Sequence, residues 1–270
     1  MNTALMESKL QANAAVDMDE QYSLAKILGI WASVALPMGL IHWVISPILI
    51  PRVDMEPGFL YLILIALGLV WEGVVAYLIL RREVKPFTWA NLKDRVWLHT
   101  PTNPKTGAPS NWLLLWAIPL IVIIEGGGQV LAPLDGSWVK VLPFLAPPPY
   151  MEIERLAEPA VGQWWLLGVV AVIIVFNYLV GEELIFRGIL LPKMNGVFGK
   201  WDFIANGILF VAYHLHMAWS WPSMLLYNWI RPWATKRFKS YWVALMLHGL
   251  ADSIFLIVPI TMAIMGLLQS

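Results

Sequence analysis

The chain has 270 residues, 59% of them hydrophobic and only 13% charged, about half the charged share of a soluble domain. With a mean hydropathy of +0.66, a water-soluble fold is excluded. The 18 Lys+Arg and 18 Asp+Glu cancel, so net charge offers no hold on nucleic acid. The absence of cysteine excludes a disulfide scaffold, a Cys-ligated zinc or iron–sulfur site and a cysteine nucleophile.

Residues 1–20 read as a polar tail, without the features of a cleaved signal peptide. Residues 21–270 read as an integral membrane domain. Apolar stretches follow at about 24–50, 59–80, 111–133, 164–191, 202–218, 219–230 and 241–266. Most reach the ~20 residues a spanning helix needs, and they are too continuous for barrel strands. The expectation is an all-α polytopic bundle of about seven membrane helices, six to eight, with 219–230 the shortest. The 16 Trp suit membrane interfaces. The loop 81–110 carries Pro101, Pro104 and Pro109 and a short interfacial helix around Trp89–Trp97. With a cytoplasmic N-terminus, the inside segments hold Arg81, Arg82, Lys193, Arg231, Lys236 and further cations. The outside ones hold only Arg52, Lys140 and Arg155, as the positive-inside rule requires.

Ionisable side chains inside membrane helices are functional candidates by default. Here they are His42, Glu72, Glu125, Glu182, Glu183, Arg187, His214, His216, His248 and Asp252. Three clusters stand out. In Gly181-Glu182-Glu183-Leu184-Ile185-Phe186-Arg187, residues 183 and 187 share a helix face, acid first, the favourable order for an ion pair. Glu182 is turned about 100° away. In Phe210-Val211-Ala212-Tyr213-His214, Asn206, Gly207, Phe210 and His214 form one stripe. In His248-Gly249-Leu250-Ala251-Asp252, the imidazole and carboxylate are four apart. At about 1.5 Å per residue, Glu182, His214, His248 and Asp252 lie about 10–18 Å in from one end of their helices, in one layer.

An acid, two histidines and a second acid, with no Ser or Cys partner, suit hydrolysis by an activated water. His248, oriented by Asp252, can donate to an oxyanion. His216 sits about 200° around a helix from His214 and reads as packing. His42 reads as a structural polar group. Glu125 precedes Gly126-Gly127-Gly128, a candidate helix break.

The ordered set Glu-Glu-x-x-x-Arg, Phe-x-x-x-His and His-x-x-x-Asp on successive membrane helices resembles the CAAX protease and bacteriocin-processing (CPBP/ABI) family, glutamate-type intramembrane endopeptidases. The resemblance covers about 164–266, a protease-like core. It implies that Glu182 and His214 activate the water, that His248 and Asp252 serve the oxyanion side, and that Glu183 and Arg187 position the site. Position 252 is Asp where several family proteases carry Asn. A carboxylate cannot donate to an oxyanion, so here it would hold His248 as the donor. The resemblance implies no obligatory cofactor and no metal, while the Glu/His/Asp donor set leaves a divalent ion open. It also implies a membrane-associated protein or peptide as partner, cleaved near its C-terminus, either a prenylated CAAX tail or a sorting segment. No nucleic acid is expected. The membrane would be the inner membrane of a bacterium or the endoplasmic reticulum of a eukaryote. Two other classes compete: a non-proteolytic adaptor or immunity protein that keeps the polar site, and an ion-coupled transporter. The sequence shows no internal repeat of the kind transporters carry.

Overall fold

The computed structural model describes residues 20–268, so the expected tail lies almost wholly outside the described residues. The chain is an all-helical bundle. In order it forms α1 (Leu24–Arg52), α2 (Pro57–Glu83), α3 (Trp89–Arg95), α4 (Asn111–Val141), α5 (Leu166–Lys193), α6 (Asp202–Tyr213), α7 (Trp221–Tyr227), α8 (Ile230–Phe238) and α9 (Tyr241–Ile264). Five of these, α1, α2, α4, α5 and α9, are long and apolar enough to cross a membrane. Helix α4 runs unbroken through Gly126–Gly128 and on to Val141, so the triglycine is no break. Three small residues do not stop a helix whose backbone has no water to compete for its hydrogen bonds.

The two remaining apolar stretches fold back on each other. Helix α6 ends where His214 leaves helical geometry (ψ 51°). A tight segment Leu215–Ser220 follows, and Pro222 opens α7, where its missing N–H goes unneeded. Asp202 at the start of α6 pairs with Lys236 near the end of α8, so α6 enters the bundle and α7–α8 return to the same end. The backbone groups of this reversal take only part of their hydrogen bonds from the turn itself, and a bilayer offers none. Tryptophans supply more: Trp221 donates to the His214 carbonyl (3.0 Å), Trp43 to Leu215 (2.8 Å) and Trp138 to Ala218 (3.1 Å). These indoles lock helices together, a role beyond interface anchoring. Asp135 accepts from the Ser223 N–H (2.9 Å) and hydroxyl (2.7 Å), stabilising the start of α7 where the helix dipole favours an anion.

The basic segments meet at one end of the bundle. Backbone hydrogen bonds join Tyr22 to Lys193 (2.9 Å), Thr102 to Phe238 (2.9 Å) and Tyr241 to Trp97 (2.7 Å). Arg95 of α3, buried there, donates to Glu83 (2.9 Å), to the Tyr22 hydroxyl (2.7 Å) and to the carbonyls of Gly188 and Ile189 (both 3.1 Å). Burial pushes the Tyr22 phenol well above its ordinary pKa, so it stays a neutral donor to Glu83 (2.6 Å).

The core packs Ile185, Phe186, Ile189 and Leu190 of α5 and Phe210 and Tyr213 of α6 against Leu69 and Ala76 of α2 and Val34 and Met38 of α1. The outer faces, such as Leu67, Val122 and Val130, stay exposed. Lipid is as apolar as these side chains, so close packing of the inner faces and polar contacts hold the bundle.

Candidate active site

Helix α5 is the least regular of the long helices. It passes from α-helix (Leu166–Ile174) into a π-helical stretch (Val175–Val180), breaks at Gly181 (φ −115°, ψ −101°), and resumes as a second π-helical stretch (Leu184–Leu190). A Cβ on Gly181 would overlap the Phe176 carbonyl and stand 3.2 Å from the Leu69 carbonyl, so only glycine fits. The break delivers Glu182 and Glu183 to the bundle interior, both buried. In α9 another π-helical stretch, Leu245–Leu250, carries His248. Such wide turns are frequent at functional sites. They re-aim side chains that a straight 3.6-residue period would point elsewhere.

The sequence-predicted residues converge. Glu182 Oε2 lies 3.9 Å from His214 Nε2, and its Oε1 lies 3.7 Å from His248 Nε2. His248 is held on both ring nitrogens, with Nδ1 donating to Glu183 Oε2 at 2.7 Å and Nε2 3.2 Å from Asp252 Oδ2. Glu183 therefore does more than pair with Arg187 (3.3 Å); it fixes the imidazole. His214 Nδ1 donates to the Phe210 carbonyl at 2.8 Å, which leaves Nε2 as an acceptor facing Glu182. Phe210 links the clusters. The Arg187 guanidinium lies 3.9 Å from its ring centroid, and the rings of His214 and His248 pack at 4.7 and 5.6 Å. Buried Arg187 finds no hydrogen-bonding partner for its nitrogens, so the Glu183 charge and this aromatic face compensate it.

A cavity of about 730 Å³ holds the site, lined among others by Asn177, Glu182, His214, Arg231, His248 and Asp252. Several of its polar groups escape the sequence motifs. Asn177, turned so that its amide nitrogen faces the acid, donates to both Glu182 oxygens at 3.1 and 3.2 Å. Arg231 is buried within the site, not on a surface loop as its place in a basic run suggests. Its guanidinium lies 3.5 Å from Glu125 and 3.7 Å from Asp252 and donates to Asn228 Oδ1 at 2.7 Å. Tyr213 Oη lies 2.5 Å from Glu72 Oε1 and also faces Glu182. His216 stacks on His214 (5.3 Å between centroids). The 200° separation fails because the helix ends at His214. His42 bonds Tyr61 at 2.9 Å and is structural. The available signals were a lone amide in an apolar run for Asn177 and unassigned acids for Glu72 and Glu125. For Tyr213 and Arg231 no sequence signal existed.

Glu182, Glu183 and His248 bring ligand-type atoms within 4.8 Å of one another. Glu183 is, however, committed to His248 and Arg187, and Arg187 and Arg231 already offset the acids of the site. The trio is a self-compensated ion-pair network.

No curated protein and no solved structure matches the chain. Residues 162–254, which span α5 to His248 and Asp252, match the family described as Type II CAAX prenyl endopeptidase Rce1-like. Through that segment, about a third of its length, the chain is similar to the CAAX protease family.

Proposed function

We propose that the protein is a glutamate-type intramembrane endopeptidase that hydrolyses a peptide bond near the C-terminus of a membrane-associated protein. The observation that carries this reading is the pair of acceptors, Glu182 Oε2 and His214 Nε2, facing each other 3.9 Å apart in a common cavity. A water bridging them directs its hydrogens to both and its lone pairs outward. Glu182 takes the proton as the water oxygen bonds to the scissile carbonyl carbon. The carbonyl oxygen becomes an oxyanion, which His248 stabilises by sharing its Nε2–H between Asp252 and the oxyanion. Collapse breaks the C–N bond, and Glu182 returns its proton to the leaving amine. Asp252, a carboxylate, holds His248 and Arg231 and does not itself donate. Glu183 and Arg187 position His248 and Phe210. The basic end of the bundle would face the cytoplasm, with the N-terminus on that side, so the substrate enters from the cytoplasmic leaflet. The resemblance to CAAX endopeptidases makes a prenylated CAAX tail the first substrate to try.

The test uses purified protein in vesicles with a farnesylated CAAX peptide and its unprenylated counterpart. Wild type is expected to release the C-terminal fragment, and Glu182→Gln to slow release by about 10²–10⁴-fold. Cleavage at the wild-type rate by Glu182→Ala would refute Glu182 as the base, whereas no cleavage of either peptide by wild type would favour the adaptor reading.

A further inference from the structure

We propose that Glu72, on α2 and outside the segment that resembles proteases, is a positioning residue acting on Glu182 through the Tyr213 hydroxyl. This rests on the reading of Glu182 as the base. Glu72 is fully buried in the middle of a membrane-spanning helix. Its neighbour Gly73 lets α2 approach α5, since a Cβ there would meet the Phe176 ring at 2.6 Å. That approach sets the Glu72 carboxyl against the end of α6, where Tyr213 precedes His214.

Hydrogen counting shows what the trio does. Tyr213 Oη contacts both Glu72 (2.5 Å) and Glu182. A phenol owns one hydrogen, so both contacts are hydrogen bonds only if one carboxyl supplies the second. Glu182 is already faced by donors, the Asn177 amide and His248. Among the described residues, Glu72 Oε2 meets no hydrogen-bond partner and no cation forms an ion pair with Glu72. A buried charge without compensation is strongly disfavoured. The extra hydrogen therefore sits on Glu72, which donates to Tyr213 Oη, while Tyr213 donates to Glu182. The consequence is directional. Tyr213 is locked as a donor toward the base, holding the Glu182 carboxylate in the orientation that presents Oε2 to His214. Without Glu72 the hydroxyl is free to turn away. A carboxyl fixed by Asn177 on one side and Tyr213 on the other spends more of its time in the productive geometry.

The experiment combines a substrate-free and a catalytic readout on the full chain in vesicles. Infrared difference spectra of wild type against Glu72→Gln are expected to show a carboxylic-acid C=O stretch belonging to Glu72. Tyr213→Phe is expected to move that band to higher frequency as its hydrogen bond is lost. With the farnesylated CAAX peptide, Tyr213→Phe and the near-isosteric Glu72→Leu are each expected to lower kcat about tenfold at unchanged KM. The double variant should lose no more than either single, because the two act as one unit. Glu72→Gln, whose amide still donates to Oη, should recover most of the loss. Independent, multiplying losses would overturn the proposal, as would a band unmoved by Tyr213→Phe. If wild type leaves the peptide intact, the peptidase reading fails on that substrate and the infrared arm alone decides the Glu72–Tyr213 link.

Discussion

The two halves of the molecule handle membrane-embedded polar groups differently. In the N-terminal half, Glu72 and Glu125 project from helices that stay regular around them, and the π-helical turn of α1 carries His42, which bonds Tyr61 away from the acids. In the C-terminal half, Glu182, Glu183, His214 and His248 sit in or beside departures from the α-helix: the Gly181 break, the π-helical turns of α5 and α9, and the reversal after His214. A regular helix offers a side chain one direction per position. Bringing Glu182 and Glu183 to opposite nitrogens of His248 needs directions that adjacent residues of a straight helix do not have. The lesson is that in this bundle backbone irregularity aims the chemistry, and regular helices support it from behind.

Four variants break or sharpen that contrast, largest effect first. Glu183→Gln leaves buried Arg187 uncompensated and loosens His248. Loss of one partner of a buried pair costs about 3–5 kcal/mol, so the thermal unfolding midpoint in detergent should fall steeply, and cleavage should fall with it. Gly181→Ala forces a methyl against the Phe176 carbonyl, which backbone cannot yield without moving Glu182. About 3 kcal/mol of destabilisation is expected; an unperturbed midpoint and rate would show that the break is not what aims Glu182. Trp221→Phe removes one of the two donors to the His214 carbonyl, which keeps the Met217 N–H, at about 0.5–1.5 kcal/mol for one hydrogen bond, read by the same melt and by faster amide exchange around His214. Gly126→Ala is the control from the regular half. No atom lies within 4 Å of the added methyl, and the gain in helix propensity is about 1 kcal/mol at most. The midpoint should stay level or rise slightly, and cleavage should not change. A loss as large as that of Gly181→Ala would erase the distinction between the halves.

Much of the site was legible because polar groups in apolar helices are rare and these come in spaced clusters. Glu182, His214, His248 and Asp252 meet as the spacing suggested. The Glu183–Arg187 pair exists, yet its tie to His248 is a contact between helices that no local period encodes. Arg231 was misplaced for the same reason. A cation in a run with Lys236, Arg237 and Lys239 looks like a loop charge until the fold shows that α8 returns beside the cavity. The stretch 202–218 counts as a span by hydropathy. The Trp43, Trp138 and Trp221 indoles, from three different elements, add to the turn's own hydrogen bonds and make a mid-bundle reversal tolerable.

Composition and run length by themselves determined that this chain is a helical membrane bundle, because a bilayer admits few other uses for such apolar segments. They also determined which side chains had to be explained, because an ionisable group in that setting must find partners. Which partners they find was decided only by the packed chain. The partners come from α2, α4, α5, α6, α8 and α9, and a pairing between helices depends on crossing, depth and backbone irregularity. Those quantities belong to the assembled bundle and leave no periodic trace along a single strand of residues.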